Sequence, residues 1–272
     1  VWEYPSATVT ALGTDTVGGM IMDHFHDLEY ADRIWVDTNN GTPGTTYPLG
    51  TRNNAVSTAA DAIIIAASRN VGILQFIEDG VIGATDDISG LVISGSHALK
   101  SEITLTAGCT TTFTQFMGCT LTGTANGSIV VRDARVESLL DFEGILHQVL
   151  IDPGGVRLAN GGAKPSHILS CYSGKPGTAT PEIDFNGVDV ELGIRDYIGG
   201  IKIVNKTGAA ALSMDVSPGQ VILDGTVTAG TIIVRGDCKL TDDSAGATVV
   251  DDRTPKLVWD DSKGKLAALN LL

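Results

Sequence analysis

From about residue 88 to residue 250 the apolar positions fall in short runs rich in β-branched residues, each ended by Gly or Asp-Gly. The stretch Gly219-Gln-Val-Ile-Leu-Asp-Gly-Thr-Val-Thr-Ala-Gly-Thr-Ile-Ile-Val-Arg-Gly236 shows the pattern in full, and related pieces stand at residues 90–95, 102–108, 127–133, 155–161 and 200–205. No three-and-four spacing links these positions, so each run reads as a strand and each break as a turn.

Two architectures can hold such an array. In a β-sandwich, hairpins join strands that alternate polar and apolar residues. Here several runs are apolar throughout, as in Ser128-Ile-Val-Val131 and Thr231-Ile-Ile-Val234, and two-residue Asn-Gly links are few. The expectation is an all-β parallel β-helix, with β-sandwich domains as the alternative. At roughly 20 residues per coil the array makes about eight coils. At ~4.8 Å per coil it forms a prism on the order of 40 Å long.

The flanks have another character. Residues 1–33 show weak periodicity and read as an arm for attachment. Residues 34–87 hold a strand, Ile34-Trp-Val36, an Asn-Gly turn at Asn40-Gly41, a Gly/Thr/Pro-rich loop and the one convincing helix, expected from Val56 to Arg69. Asn54 or Ser57 would cap its start and Asn70 with Gly72 its end, and Ile63, Ile64 and Ala67 would share its apolar face. A strand stack has open edges, and this helix stands where the first coil needs a cover. Residues 251–272 form a second attachment segment whose last seven residues could begin a helix. The chain starts at Val1, which suggests processing or a piece of a longer polypeptide.

Composition narrows the function. The chain has 272 residues, 43% of them apolar, enough for a core. Its 18 basic and 32 acidic residues give a net charge of -14, which disfavours a nucleic-acid binder that must meet phosphates with a basic face. Cys109, Cys119, Cys171 and Cys238 are far apart and lack C-x-x-C spacing, so buried thiols are expected, with Cys109 and Cys119 stacked in neighbouring coils. No run approaches the ~18 apolar residues of a membrane helix.

The segment Ile34-Trp-Val-Asp-Thr-Asn-Asn-Gly41, followed by Tyr47-Pro-Leu-Gly-Thr51 and a helix carrying Ala59, Ala62 and Ala66, resembles the opening of right-handed parallel β-helix proteins of the pectate-lyase-like type. With Ile198-Gly-Gly-Ile-Lys-Ile-Val-Asn-Lys-Thr-Gly208 and residues 219–236, the wider pattern is similar to uncharacterised structural proteins of tailed bacteriophages and prophages. The resemblance covers roughly residues 34 to 250. It implies a right-handed β-helix with an N-terminal capping helix in a virion component, often a homotrimer, of the tail-fibre or appendage kind. A capsid decoration protein and a polysaccharide-depolymerising tailspike are the alternatives. It supplies no catalytic residue.

The residues themselves add little chemistry. His24 and His26 are spaced so that on a strand both face one way; around a threefold axis three such pairs could hold one metal ion, though a solvated pair is the plainer reading. His97, His147 and His167 are isolated. Glycoside hydrolysis needs two carboxylates about 5 to 9.5 Å apart, and Asp133, Glu137, Asp141 and Glu143, or Asp184, Asp189 and Glu191, are candidates that any acidic solenoid would offer. The paired aspartates at residues 86–87, 251–252 and 260–261 read as solvated turns. The sequon matches at Asn126 and Asn205 are turn residues too. Hydrolase-elbow, P-loop and dinucleotide motifs are absent. The expectation is a protein without enzymatic activity and without cofactor.

Large apolar residues stand outside the array, at Trp2 and Tyr4 and at Leu257, Val258, Trp259, Leu269 and Leu272. Burying each is worth ~1.5 to 3 kcal/mol, so these residues are expected to bind partners. The expected partners are copies of the chain, in a homotrimer, and other virion proteins; a host-surface receptor is a further candidate. Folding back onto their own solenoid is the alternative.

Overall fold

The computed structural model describes residues 32–159, 164–174 and 179–253, and the backbone of 256–260 and 265–269. The chain folds as a right-handed parallel β-helix of about 9 turns, with one helix among the described residues. Among the described residues nineteen strands join in one parallel set. The stack already includes Ile34–Val36, Ile73–Phe76 and Gly80–Ile82, ahead of residue 88, and its last strand is Thr248–Arg253.

Apolar residues stack because each coil repeats the register of the one below. On the first face the inward row runs Ile34, Leu74, Ile93, Phe116, Val131, Leu146, Ile168, Ile194, Met214 and Val234, all buried. A row on another face runs Ile82, Leu105, Gly123, Leu140, Val156, Ile183, Ile203 and Leu223. In the solidly apolar runs the residues still alternate between sides: Ile129, Val131, Ile232 and Val234 are buried, while Val130 and Ile233 are half-buried on the outer side. The first row closes on Asp251, the register partner of Val234. Arg253 pairs with Asp251 through both carboxylate oxygens at 2.7 and 2.6 Å, and also donates to the Cys238 carbonyl at 3.1 Å.

The bend leaving the first face is a column of residues at positive φ: Gly118, Asp133, Gln148, Ser170 and Asp196. One left-handed residue between two extended ones turns the chain sharply. The residue after each points inward, giving a buried corner stack of Cys119, Ala134, Val149, Cys171 and Tyr197. Cys119 and Cys171 therefore share a stack. Cys109 lies at a different corner, where its thiol donates to the Thr124 carbonyl, so the expected Cys109–Cys119 pairing is not formed. All four cysteines are free and buried.

The helix runs Ala59–Arg69, shorter than expected. Its N-cap is Thr58, whose hydroxyl accepts from the Asp61 amide, and it ends on Asn70 in the left-handed region. Residues 50–56 are unavailable to it because they close the open edge of the first strand: Trp35 N donates to Gly50 O, Val56 N to Trp35 O and Asp37 N to Val56 O. The cover is thus a loop plus the helix, which packs on the first coil. Its buried face is Ala59, Ala62, Ile65 and Ala66; Ile64 is 56% exposed, so the expected face is rotated. At the other end, Lys256–Asp260 and Lys265–Leu269 pair as antiparallel strands, which replaces the helix expected there. No helix among the described residues is long and apolar enough to cross a membrane.

Lys206 is an anomaly of the core, 1% exposed. Its ammonium donates to the Gly208 carbonyl at 2.8 Å and lies 5.4 Å from the Phe185 ring. Burial holds its pKa below the ordinary lysine value, with Asp189 opposing that shift. A buried charge with so little compensation weakens a fold, and an apolar group of similar length removes the cost. Lys206→Met is expected to raise stability by about 1–2 kcal/mol at pH 7 in urea unfolding. A loss of similar size would show that the carbonyl and ring contacts outweigh the desolvation.

Candidate interaction surface

A concavity of about 730 Å³ lies on the face that follows the left-handed corner. Its wall is an outward column two residues past that corner: Leu150 pairs with Tyr172, and Tyr172 with Ile198. Tyr172 is 43% and Ile198 53% exposed. Earlier in the same column stands Arg135, which is matched by Asp152 at 2.6 Å and Glu137 at 3.2 Å. The sheet thus switches from a neutralised polar column to an uncovered apolar one within a single coil. Pro218, in a cis peptide bond after Ser217, continues the apolar wall, and Ser173, Thr180 and Gln220 supply polar groups.

Glycines floor the concavity because strands crowd there. A Cβ on Gly199 would meet Ser173 Oγ, and one on Gly219 would meet the Gly199 carbonyl. Behind the wall Tyr197 fills the core; its hydroxyl is buried beside Ser173 without a hydrogen bond of ordinary geometry, and burial pushes its pKa up.

Three of the carboxylates singled out from sequence, Asp141, Asp184 and Asp189, are built into the scaffold. Asp141 is bound by Arg157 at 2.7 and 2.6 Å and accepts from Thr124 at 3.1 Å. Asp184 accepts from the Asn186 amide and from Asn205 Nδ2, at 2.6 and 2.9 Å. Asp189 accepts from the Ala210 amide at 2.6 Å. Each contact crosses to a neighbouring coil or closes a turn. The 730 Å³ concavity has no acidic residue in its wall, whereas another of about 580 Å³, beside the start of the helix, is lined by Asp79, Asp86 and Glu102.

His97 Nδ1 accepts from the Leu99 amide, while His147 and His167 stand on the outer side of the first face. No three His, Cys, Asp or Glu residues among the described ones converge closely enough to hold a metal. His24, His26, Trp2, Tyr4 and Leu272 lie outside the described residues. Leu257, Val258 and Trp259 lie on one strand of the C-terminal hairpin and Leu269 on the other. At the N-terminal end the Trp35 ring lies between the guanidinium groups of Arg33 and Arg52, at 6.0 and 5.7 Å.

Leu150, Tyr172 and Ile198 are far apart in the chain, and only the coil register brings them together. Comparison with protein-family models, with curated proteins and with solved structures gives no match.

Proposed function

We propose that the protein is a non-enzymatic structural part of a bacteriophage virion, a tail fibre or tail-associated appendage in which the β-helix is a stiff spacer and the terminal segments attach to partners. The observation that supports it most is the uninterrupted core of the solenoid. Rows of buried apolar residues run through nearly every coil, so the stack resists bending as one body. Asp141, Asp184 and Asp189, among the carboxylates a depolymerase could use, brace turns and neighbouring coils, and the 730 Å³ concavity has no carboxylate in its wall. The phage assignment itself rests on the sequence resemblance, as does the homotrimer.

Locating the protein in a whole-particle reconstruction tests the assignment: density on the tail supports it, and density confined to the capsid shell favours a decoration protein instead. Incubation with capsular or lipopolysaccharide substrates is expected to release no reducing ends. Release that disappears in an Asp184→Asn, Asp189→Asn chain would overturn the non-enzymatic reading in favour of a depolymerising tailspike.

A further inference from the structure

We propose that copies of this chain associate side by side, in parallel, along the left-handed corner carrying Asp133, Gln148, Ser170 and Asp196. The proposal concerns a lateral surface of the solenoid and does not depend on the virion reading or on the terminal segments.

The first observation is a charge imbalance. Elsewhere on the solenoid, Arg135, Arg157 and Lys202 have carboxylate partners at 2.6 to 3.2 Å, while exposed Lys239 has none among the described residues. Arg132 and Arg195 are exposed and have none among the described residues, in a chain with 32 acidic residues. Both lie on one outward row of the first face, where Met117, Arg132, His147, Leu169 and Arg195 follow each other in register. Each is followed at once by an exposed aspartate at positive φ, Asp133 and Asp196, whose carboxylates likewise pair with no described cation. Within one copy the corner separates each arginine from its own aspartate.

Symmetry then makes the pattern complementary. Rotation about an axis parallel to the solenoid leaves every coil at its own height. Arg132 of one copy therefore meets the level of Asp133 in the next, and Arg195 that of Asp196. Two matched levels three coils apart, ~14 Å at the strand spacing, fix the register against slippage by one coil. Past the corner stands the column of half-buried Leu150 and exposed Tyr172 and Ile198, which supplies the apolar centre such an interface needs. A second concavity, about 430 Å³, has Asp133 and Tyr172 in its lining and gives an incoming arginine a slot. From Gly118 to Asp196 the corner spans four coil steps, ~19 Å at the strand spacing.

Sedimentation velocity of the full chain tests this. The wild-type chain is expected to associate at ~10 μM. Arg132→Asp with Arg195→Asp, which puts like charges at both levels, should weaken association at least tenfold with an unchanged unfolding midpoint, and so should Tyr172→Ser with Ile198→Ser. A chain with Asp133→Lys and Asp196→Lys should also be monomeric, yet an equimolar mixture of the two charge-reversed chains should associate again. A monomeric wild type, an assembly that survives Arg132→Asp with Arg195→Asp, or a mixture that stays monomeric overturns the proposal. Survival in that variant would instead place the contact in the terminal segments, so the two ideas fail separately.

Discussion

Gly144→Val is expected to lower stability by about 4 kcal/mol, one of the largest effects of any single surface-accessible change. Gly144 sits at φ 125° within the strand Leu140–His147, where the chain bends between faces. A Cβ there would fall on the carbonyl oxygen of Ile129, its register partner in the coil below. Retreat is blocked, because the next residues remain paired, Ile145 with Val130, and the Gly144 amide donates to Ser166 Oγ at 3.2 Å in the coil above. A branched residue at positive φ costs about 1–3 kcal/mol and forced overpacking a further 1–3. At about 2–4 °C per kcal/mol for a chain this size, the midpoint should drop by roughly 8–16 °C in a thermal melt followed by circular dichroism. Gly72→Ala is the control: nothing lies within 4 Å of its added Cβ, and its midpoint should move by no more than about 2 °C. Equal midpoints for the two variants would show that the coil can shift and that the ladder is not rigid here.

That contrast also marks what could be read from the chain alone. Gly144 and its like are visible in sequence as breaks between β-branched runs, and those breaks carried the solenoid reading. The left-handed corner was not visible, because Asp133, Gln148, Ser170 and Asp196 are not glycines; what holds them at positive φ is the stack of coils above and below, a tertiary effect. Coil length hid the surface as well. Fifteen residues separate Phe116 from its row neighbour Val131, but twenty-six separate Ile168 from Ile194. Without a fixed repeat, nothing in the sequence aligns Tyr172 with Ile198 or Arg132 with Arg195. The helix was found but its face was misjudged, since Ile63, Ile64 and Ile65 are consecutive and periodicity cannot choose among them; packing against the first coil buries Ile65 and leaves Ile64 out.

Raising the pH from 8 to 10.5 is expected to cost the fold several kcal/mol, through its buried thiols. Burial pushes Cys119 up to about 12 and Cys171 up to about 11, from an ordinary 9.0. Cys171 in addition donates to the carbonyls of Leu146 and Leu169, bonds that a thiolate could not make. The unfolded thiols release their protons near pH 9 while the folded ones hold theirs. Above that pH the unfolded chain binds fewer protons, so stability falls as pH rises, and the loss levels off only above the folded values. At 1.36 kcal/mol per pH unit, each of these two cysteines loses about 2 kcal/mol by pH 10.5. Buried Tyr197 adds to the loss, its pKa also raised. Lys206 works the other way: its pKa is lowered, so deprotonation in the folded state begins first and stability rises through its window. One lysine against two strongly buried thiols and a tyrosine leaves a net loss. Urea unfolding at pH 8, 9 and 10.5 should show it, and Cys119→Ala with Cys171→Ala, although less stable at pH 8 for the cavities it leaves, should have about half the pH slope. An unchanged slope in that variant would assign the alkaline loss to other groups.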